Sequence, residues 1–130
     1  MKRILIIDDE ADLTRMLKLS LENTSKYEVF IENRSPNAVS AAKKTKPDLI
    51  LLDILMPEMD GFEVLQRLKR DTMTVGIPVI MLTAVITDDA KAQAAGLFNE
   101  SYIEKPVNAE DLDRQIGKVL ARRSIPGSKR

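Results

Sequence analysis

Leu49-Ile50-Leu51-Leu52-Asp53-Ile54-Leu55-Met56-Pro57-Glu58-Met59-Asp60-Gly61 is the stretch on which the reading of this chain turns. Its opening aliphatic run is too short for a helix and lacks the alternation of a strand with one wet face, so it reads as a strand buried on both faces. The run ends in an aspartate. Beyond Pro57, Asp60 with Glu63 resembles a capping box, which opens a helix. A doubly buried strand that hands a carboxylate to a loop and then a helix belongs to a parallel sheet with crossover helices.

Outward from this junction the same unit recurs. Ile4–Ile7, Tyr27–Ile31, Pro78–Leu82 and Ser101–Ile103 are further short runs of strand type. Helical spacing fills the gaps. Leu13, Met16, Leu17 and Leu21 share one face while Arg15, Lys18 and Glu22 turn outward, and Leu112, Ile116, Val119 and Leu120 repeat the pattern. Ser35 then Pro36 reads as an N-cap followed by the first helical residue. Asn108, with Glu110 and Asp111, puts a cap and anionic charge on the last helix. Repeated strand–helix alternation with right-handed crossovers predicts an α/β doubly wound sheet of five parallel strands. The expected order is 2-1-3-4-5, flavodoxin-like, with helices on both faces. No internal repeat or second domain is evident. Residues 1–123 are expected to form the domain, and residues 124–130, with Pro126, Gly127 and Ser128, a solvated tail or linker start.

Composition narrows the chemistry. The chain has 130 residues, and its 20 Lys and Arg balance 20 Asp and Glu, so no global field points to nucleic acid or an anionic membrane. No apolar run approaches the roughly 20 residues that span a bilayer. Met1-Lys2-Arg3-Ile4 runs straight into a strand and leaves no room for a signal peptide, so the cytoplasm is the expected compartment. There is no Cys and no His. That excludes disulfides, thiol nucleophiles, zinc clusters of the usual kind and any imidazole base.

In an open parallel sheet, function gathers at the carboxyl ends of the strands. Asp8, Asp9 and Glu10 follow the first strand, Asp53 the third, Thr83 and Ala84 the fourth, and Lys105 with Pro106 the fifth. The second ends in Glu32, which is set aside. Two unit charges about 4 Å apart repel by roughly 4 kcal/mol at an effective dielectric near 20. Converging aspartates therefore need a shared proton or a cation. An all-oxygen ligand set favours magnesium or manganese over zinc or copper. A carboxylate beside a divalent cation and a lysine is a candidate nucleophile towards phosphorus, with Thr83 able to donate to a transferred oxygen. Asp53, on the central strand, is the best acceptor. Asp8 and Asp9 are then metal ligands.

Five features in order now resemble the response-regulator receiver family of two-component signalling, over about residues 2 to 122. They are the Asp8-Asp9 pair, the run from Asp53 to Gly61, the strand Pro78–Ala84 ending in Thr83, the switch tyrosine Tyr102, and Lys105-Pro106. The resemblance implies a signalling switch rather than an enzyme acting on other molecules. Asp53 would take phosphate from a histidine kinase or histidine phosphotransfer protein. Asp8, Asp9, Asp53 and the backbone carbonyl of Leu55 would surround magnesium. Thr83 would swing toward the phosphoryl group, Tyr102 would rotate inward, and Lys105 would contact phosphoryl oxygens beside a cis bond before Pro106. The output surface would be the fourth helix, fifth strand and fifth helix. Its partner is an unknown downstream protein, with a monomer or a weak homodimer through that face. Direct nucleic-acid contact and membrane association are not expected.

The chain departs from the pattern at Phe98, where the family commonly has Gly; Gly96 and Asn99 suggest a shifted helix end. Leu55 and Val85, two residues after Asp53 and Thr83, are apolar at positions that in this family govern water's access to the acyl phosphate. Slow self-dephosphorylation follows. Singly, each residue has a plainer reading: the acids favour a helix N-terminus, Thr83 a cap, Lys105 the surface and Tyr102 strand packing. Asp88 and Asp89 read as a first helical turn, and Lys43, Lys44 and Lys46 as a solvated face. A haloacid-dehalogenase-type phosphatase needs an acid where Leu55 stands. A dinucleotide module needs a Gly-rich turn where the acids stand. A phosphorylation-independent pseudo-receiver usually lacks one of the residues present here.

Overall fold

In the computed structural model, described for residues 1–84 and 101–124, five strands form one sheet in the order β2-β1-β3-β4-β5. The strands are β1 Lys2–Ile7, β2 Tyr27–Glu32, β3 Leu49–Asp53, β4 Val79–Thr83 and β5 Ser101–Glu104, and every pairing is parallel. Helices α1 Ala11–Glu22, α2 Ala38–Thr45 and α3 Gly61–Arg70 and a C-terminal helix Ala109–Ser124 connect or flank them. The fourth connection, carrying Val85, Asp88, Asp89, Gly96, Phe98, Asn99 and the expected fourth helix, lies outside the described residues, as do residues 125–130.

The strands divide their side chains between two apolar layers. Ile4, Ile6, Leu49, Leu51, Ile80 and Leu82 meet Leu17 and Leu21 of α1 and Leu112 and Ile116 of the C-terminal helix. Leu5, Ile7, Ile50, Leu52, Val79 and Met81 meet Ala38 and Ala42 of α2 and Val64, Leu65 and Leu68 of α3. Both faces of the central strands are dry, which is why their sequence shows no polar alternation. The predicted strand order and two-sided helix cover are what the structure shows.

Two local expectations change. Met16 is half exposed although its neighbour Leu17 is fully buried. The buried stripe of α1 is Thr14, Leu17 and Leu21, and Met16, one residue before Leu17, sits about 100° round the helix from it. Ser35 does not cap α2. A short 3₁₀ turn, Ser35–Asn37, precedes that helix, and the Ser35 hydroxyl instead donates to the Pro57 carbonyl (2.9 Å) and accepts from the Met59 N–H (3.2 Å). Itself buried, Ser35 ties down two backbone groups of the loop after β3. The other caps form as expected: Asp60 accepts from Glu63 N–H, and Asn108 from Glu110 and Asp111 N–H. The Glu63 carboxylate pairs with Arg67 instead of completing the box.

Helix α2 ends on Lys46, which adopts a left-handed conformation (φ 50°, ψ 59°) that disfavours a Cβ. Replacing this exposed residue, Lys46→Gly, is expected to stabilise the protein by about 0.5–1 kcal/mol, the relief of strain exceeding the entropy lost on folding. Urea unfolding would check this; a lower midpoint at unchanged slope would contradict it.

Candidate functional site

The parallel register brings four strand ends to one edge. Ile7 lies beside Leu52, Asp53 beside Leu82, and Thr83 beside Glu104, so Asp8, Asp53, Thr83 and Lys105 leave the sheet together. Backbone bonds fix the junctions. Ile54 N–H donates to Leu82 O (3.0 Å), Lys105 N–H to Thr83 O (2.7 Å) and Asp8 N–H to Glu32 O (3.2 Å). The Asn33 amide braces the Asp8 carbonyl (2.8 Å) against the Thr14 hydroxyl (3.1 Å). The bond before Pro106 is cis, as expected.

Gly61 sets how closely α3 approaches Asp53. Its N–H donates to Ile54 O at 2.7 Å, and a Cβ at this residue would lie 2.2 Å from the Asp53 carbonyl oxygen. No L side chain fits. Across the loop, Glu58 holds a positive φ of 72° while its carboxylate takes both hydrogen bonds from the Arg34 guanidinium (3.0 and 3.1 Å). Together with Ser35, these contacts hold the segment that follows Asp53.

The acids converge on one ammonium. Lys105 Nζ lies 3.0 Å from Asp8 Oδ2, 2.6 Å from Glu10 Oε1 and 3.3 Å from Asp53 Oδ1. Asp8 and Asp53 are buried, and burial raises both carboxyls, Asp53 to about 6. The neighbouring Asp8 charge, and more weakly that of Asp9, pushes Asp53 the same way, against the pull of Lys105. For Lys105, burial disfavours the charge, but the carboxylates of Glu10 and Asp8 beside it outweigh this and hold its pKa above that of a free lysine.

One ammonium does not neutralise three carboxylates. Asp8 Oδ2 is buried with an ion-pair contact but no hydrogen bond, leaving lone-pair capacity unused. Carboxylate oxygens of Asp8, Glu10 and Asp53 lie within 4.8 Å of one another. This donor set, all hard oxygen, fits a divalent cation of the magnesium class.

Of the expected site residues, Lys105 contacts both Asp8 and Asp53. Thr83 is buried at the end of β4, beside them. Asp9 is exposed and is not one of the three clustered carboxylates, while Leu55 is 64% exposed next to the site. Tyr102, opposite Met81, is half-buried against the layer formed with α2 and α3. Glu10 follows the first strand in the sequence, but its contact with Lys105 spans 95 residues and has no local signal. Asn33, Ser35 and Arg34 were likewise missed as braces.

The family model of the response regulator receiver domain matches residues 4–117. The chain belongs to the response-regulator receiver family. It is 42% identical over 126 residues to the phosphate regulon transcriptional regulatory protein PhoB of Pseudomonas aeruginosa, covering 97% of this chain and 54% of that protein. It is 37% identical to the DNA-binding dual master transcriptional regulator RpaA of Synechocystis, covering 94% of this chain and 50% of that protein. The chain thus spans about half the length of these relatives. Among solved structures, a CheY-like receiver domain protein from Methanospirillum hungatei superposes with TM-score 0.87 at 30% identity, covering 95% of this chain and 97% of that one. Chemotaxis protein CheY4 of Vibrio cholerae gives 0.86 at 27%, covering 92% and 98%. Receivers are signalling modules, and none of the described helices is long and apolar enough to cross a membrane.

Because Asp53 holds its proton more tightly folded than unfolded, its contribution to stability is full below about pH 4. It is lost as pH rises through about 6. Above that window the buried charge costs as much as roughly 3 kcal/mol, at about 1.4 kcal/mol per unit. In chelator, Asp53→Asn is therefore expected to be more stable than the parent at pH 7, the gap closing toward pH 4. The difference between the two curves isolates Asp53 from Asp71 and Asp113, whose lowered pKa values act in the opposite sense. Equal stability at pH 7 would refute the assignment.

Proposed function

We propose that the chain is a magnesium-dependent phosphoryl switch in a two-component phosphorelay, taking phosphate from a phosphohistidine donor onto Asp53. The observation that carries this reading is Lys105, a mostly buried ammonium within 3.3 Å of the central-strand aspartate and 3.0 Å of Asp8. Such a cation neutralises charge on a transferring phosphoryl group. Asp8 and Asp53 of the carboxylate cluster, joined by Asp9 and the Leu55 carbonyl in place of Glu10, would hold the metal, which when bound supplies further positive charge to the phosphoryl oxygens. A carboxylate oxygen of Asp53 forms the new P–O bond as the donor's P–N bond breaks, and the electron pair returns to the imidazole nitrogen. Lys105 follows the new charge, and the Thr83 hydroxyl donates to a phosphoryl oxygen.

The switch is a population shift. Phosphorylation turns the carboxylate of Asp53 into an acyl phosphate of greater negative charge with three further acceptor oxygens, which favour whichever arrangement best satisfies them. Movement of Thr83 at the end of β4 makes room for Tyr102 on the neighbouring strand. The surface of β5 and the flanking helices changes with it. The donor is a histidine kinase or phosphotransfer protein, which puts the chain in the cytoplasm. The domain catalyses only its own phosphorylation and slow dephosphorylation. Its relatives are transcriptional regulators twice its length. In this reading the receiver itself acts by protein contact, as a monomer or a weak homodimer through the output face.

Intact mass after incubation with acetyl phosphate tests this. One phosphoryl group is expected with magnesium, none without it, and none in Asp53→Asn. The group should persist for longer on the parent than on a Leu55→Asn, Val85→Glu variant, whose polar side chains can orient water. Absence of uptake by the parent, beside a receiver that does label, would leave the phosphorylation-independent module as the better account.

Thr83→Ala is expected to accept phosphate yet lose most of the phosphate-induced change in Tyr102 fluorescence or partner binding. A full response from this variant would break the proposed coupling.

A further inference from the structure

Glu10 occupies the N-cap of α1, a position where a side-chain oxygen ordinarily accepts from a backbone N–H of the first turn. Its carboxylate makes no such bond. Its backbone is held in place, with the N–H donating to Asp8 Oδ1 (2.9 Å) and the carbonyl accepting from Thr14 N–H (3.0 Å). The side chain reaches instead across the strand ends to Lys105, and at 2.6 Å this is the shortest of the three contacts the ammonium makes.

We propose that Glu10 is a positioning residue that latches Lys105 in the unphosphorylated chain and releases it when a phosphoryl group arrives at Asp53. An ammonium has three N–H donors, and three carboxylates surround this one. The closest contact, to Glu10, occupies an N–H that phosphoryl oxygens gain only if Glu10 gives way. Asp8 is wholly buried and its Oδ2 has no hydrogen-bond partner, so releasing it would strand a buried charge. Asp53 is the group being modified. Glu10 remains, with a side chain 57% exposed that water rehydrates on release. The contact is therefore close enough to hold the lysine and solvated enough to let it go. This rests on the phosphoryl-switch reading and adds a residue that sets how readily the switch is loaded.

Glu10→Gln and Glu10→Asp, each labelled by acetyl phosphate with magnesium below saturation, test the latch. Weakening an exposed ion pair predicts labelling faster by about two- to fivefold for Glu10→Gln. It also predicts tighter binding of beryllium fluoride by the same factor. Glu10→Asp keeps the charge but shortens the reach by one methylene. If the contact matters, it too labels faster; if Glu10 merely repels an anionic donor, it labels at the parental rate, and the latch is wrong. The ¹⁵N resonance of Lys105 Nζ, recorded without phosphodonor, should move in both variants, a change that a purely structural role would not produce. Parental labelling rates in Glu10→Gln, or an unmoved resonance, would also overturn the proposal while leaving the phosphoryl switch intact. Failure of the parent itself to label would remove both.

Discussion

A single ammonium sits where two buried aspartates would otherwise face each other without compensation, and much of the local architecture exists to keep that arrangement. Asp8 follows, and Asp53 ends, a strand whose four preceding residues, Ile4–Ile7 and Leu49–Leu52, are apolar and fully enclosed. The hydrophobic energy of those strands carries the carboxylates inward, at about 25 cal/mol for each Å² of apolar surface buried. Left alone, each charge would shed its cost by taking up a proton. Lys105 moderates that cost without removing it, as the raised Asp53 pKa of about 6 records. A site with residual negative charge and an oxygen lacking a hydrogen bond is one that binding can relieve.

The sheet makes this geometry stiff. Strands covered on both faces cannot slip by one residue without exchanging the contents of the two apolar layers. The lateral positions of Asp8, Asp53, Thr83 and Lys105 are thus set by core packing far more than by their mutual attraction. Attraction alone would fail, since the carboxylates repel. Rigidity is completed from the loops: Gly61 lets α3 approach to a distance no side chain permits, and Ser35 joins the α2 side to the loop after Asp53.

Much of this was legible in the sequence because two-sided burial writes itself as continuous aliphatic runs. The residues ending those runs were polar in a way that packing did not require. Strand order followed from the number of alternating units and the handedness of crossovers. What escaped shares one cause. Glu10, Asn33, Ser35 and Arg34 act through contacts made across the fold, and each has a local interpretation that is complete by itself. A serine before a proline is an adequate cap until a buried carbonyl elsewhere needs its hydroxyl. Met16 was misplaced for a related reason. Helical spacing defines a stripe only to within one residue, and Thr14, buried in place of Met16, satisfies its hydroxyl on the Ala11 carbonyl and so passes as core.

The same contrast separates the parts of the site by kind. Residues fixed by strand ends are specified by fold and register, and any chain with this sheet has the same positions to fill. Glu10 belongs to a helix cap, exposed and free of packing demands, where substitution costs the fold little. Substitution there can therefore leave Asp53 and its lysine in place. A residue that touches the central cation from the solvated side is well suited to set the speed of a switch whose chemistry is otherwise held constant. In the proposed switch, the buried set would make a reaction at Asp53 feasible, and the exposed partner of Lys105 would set how much counter-charge is available when it begins.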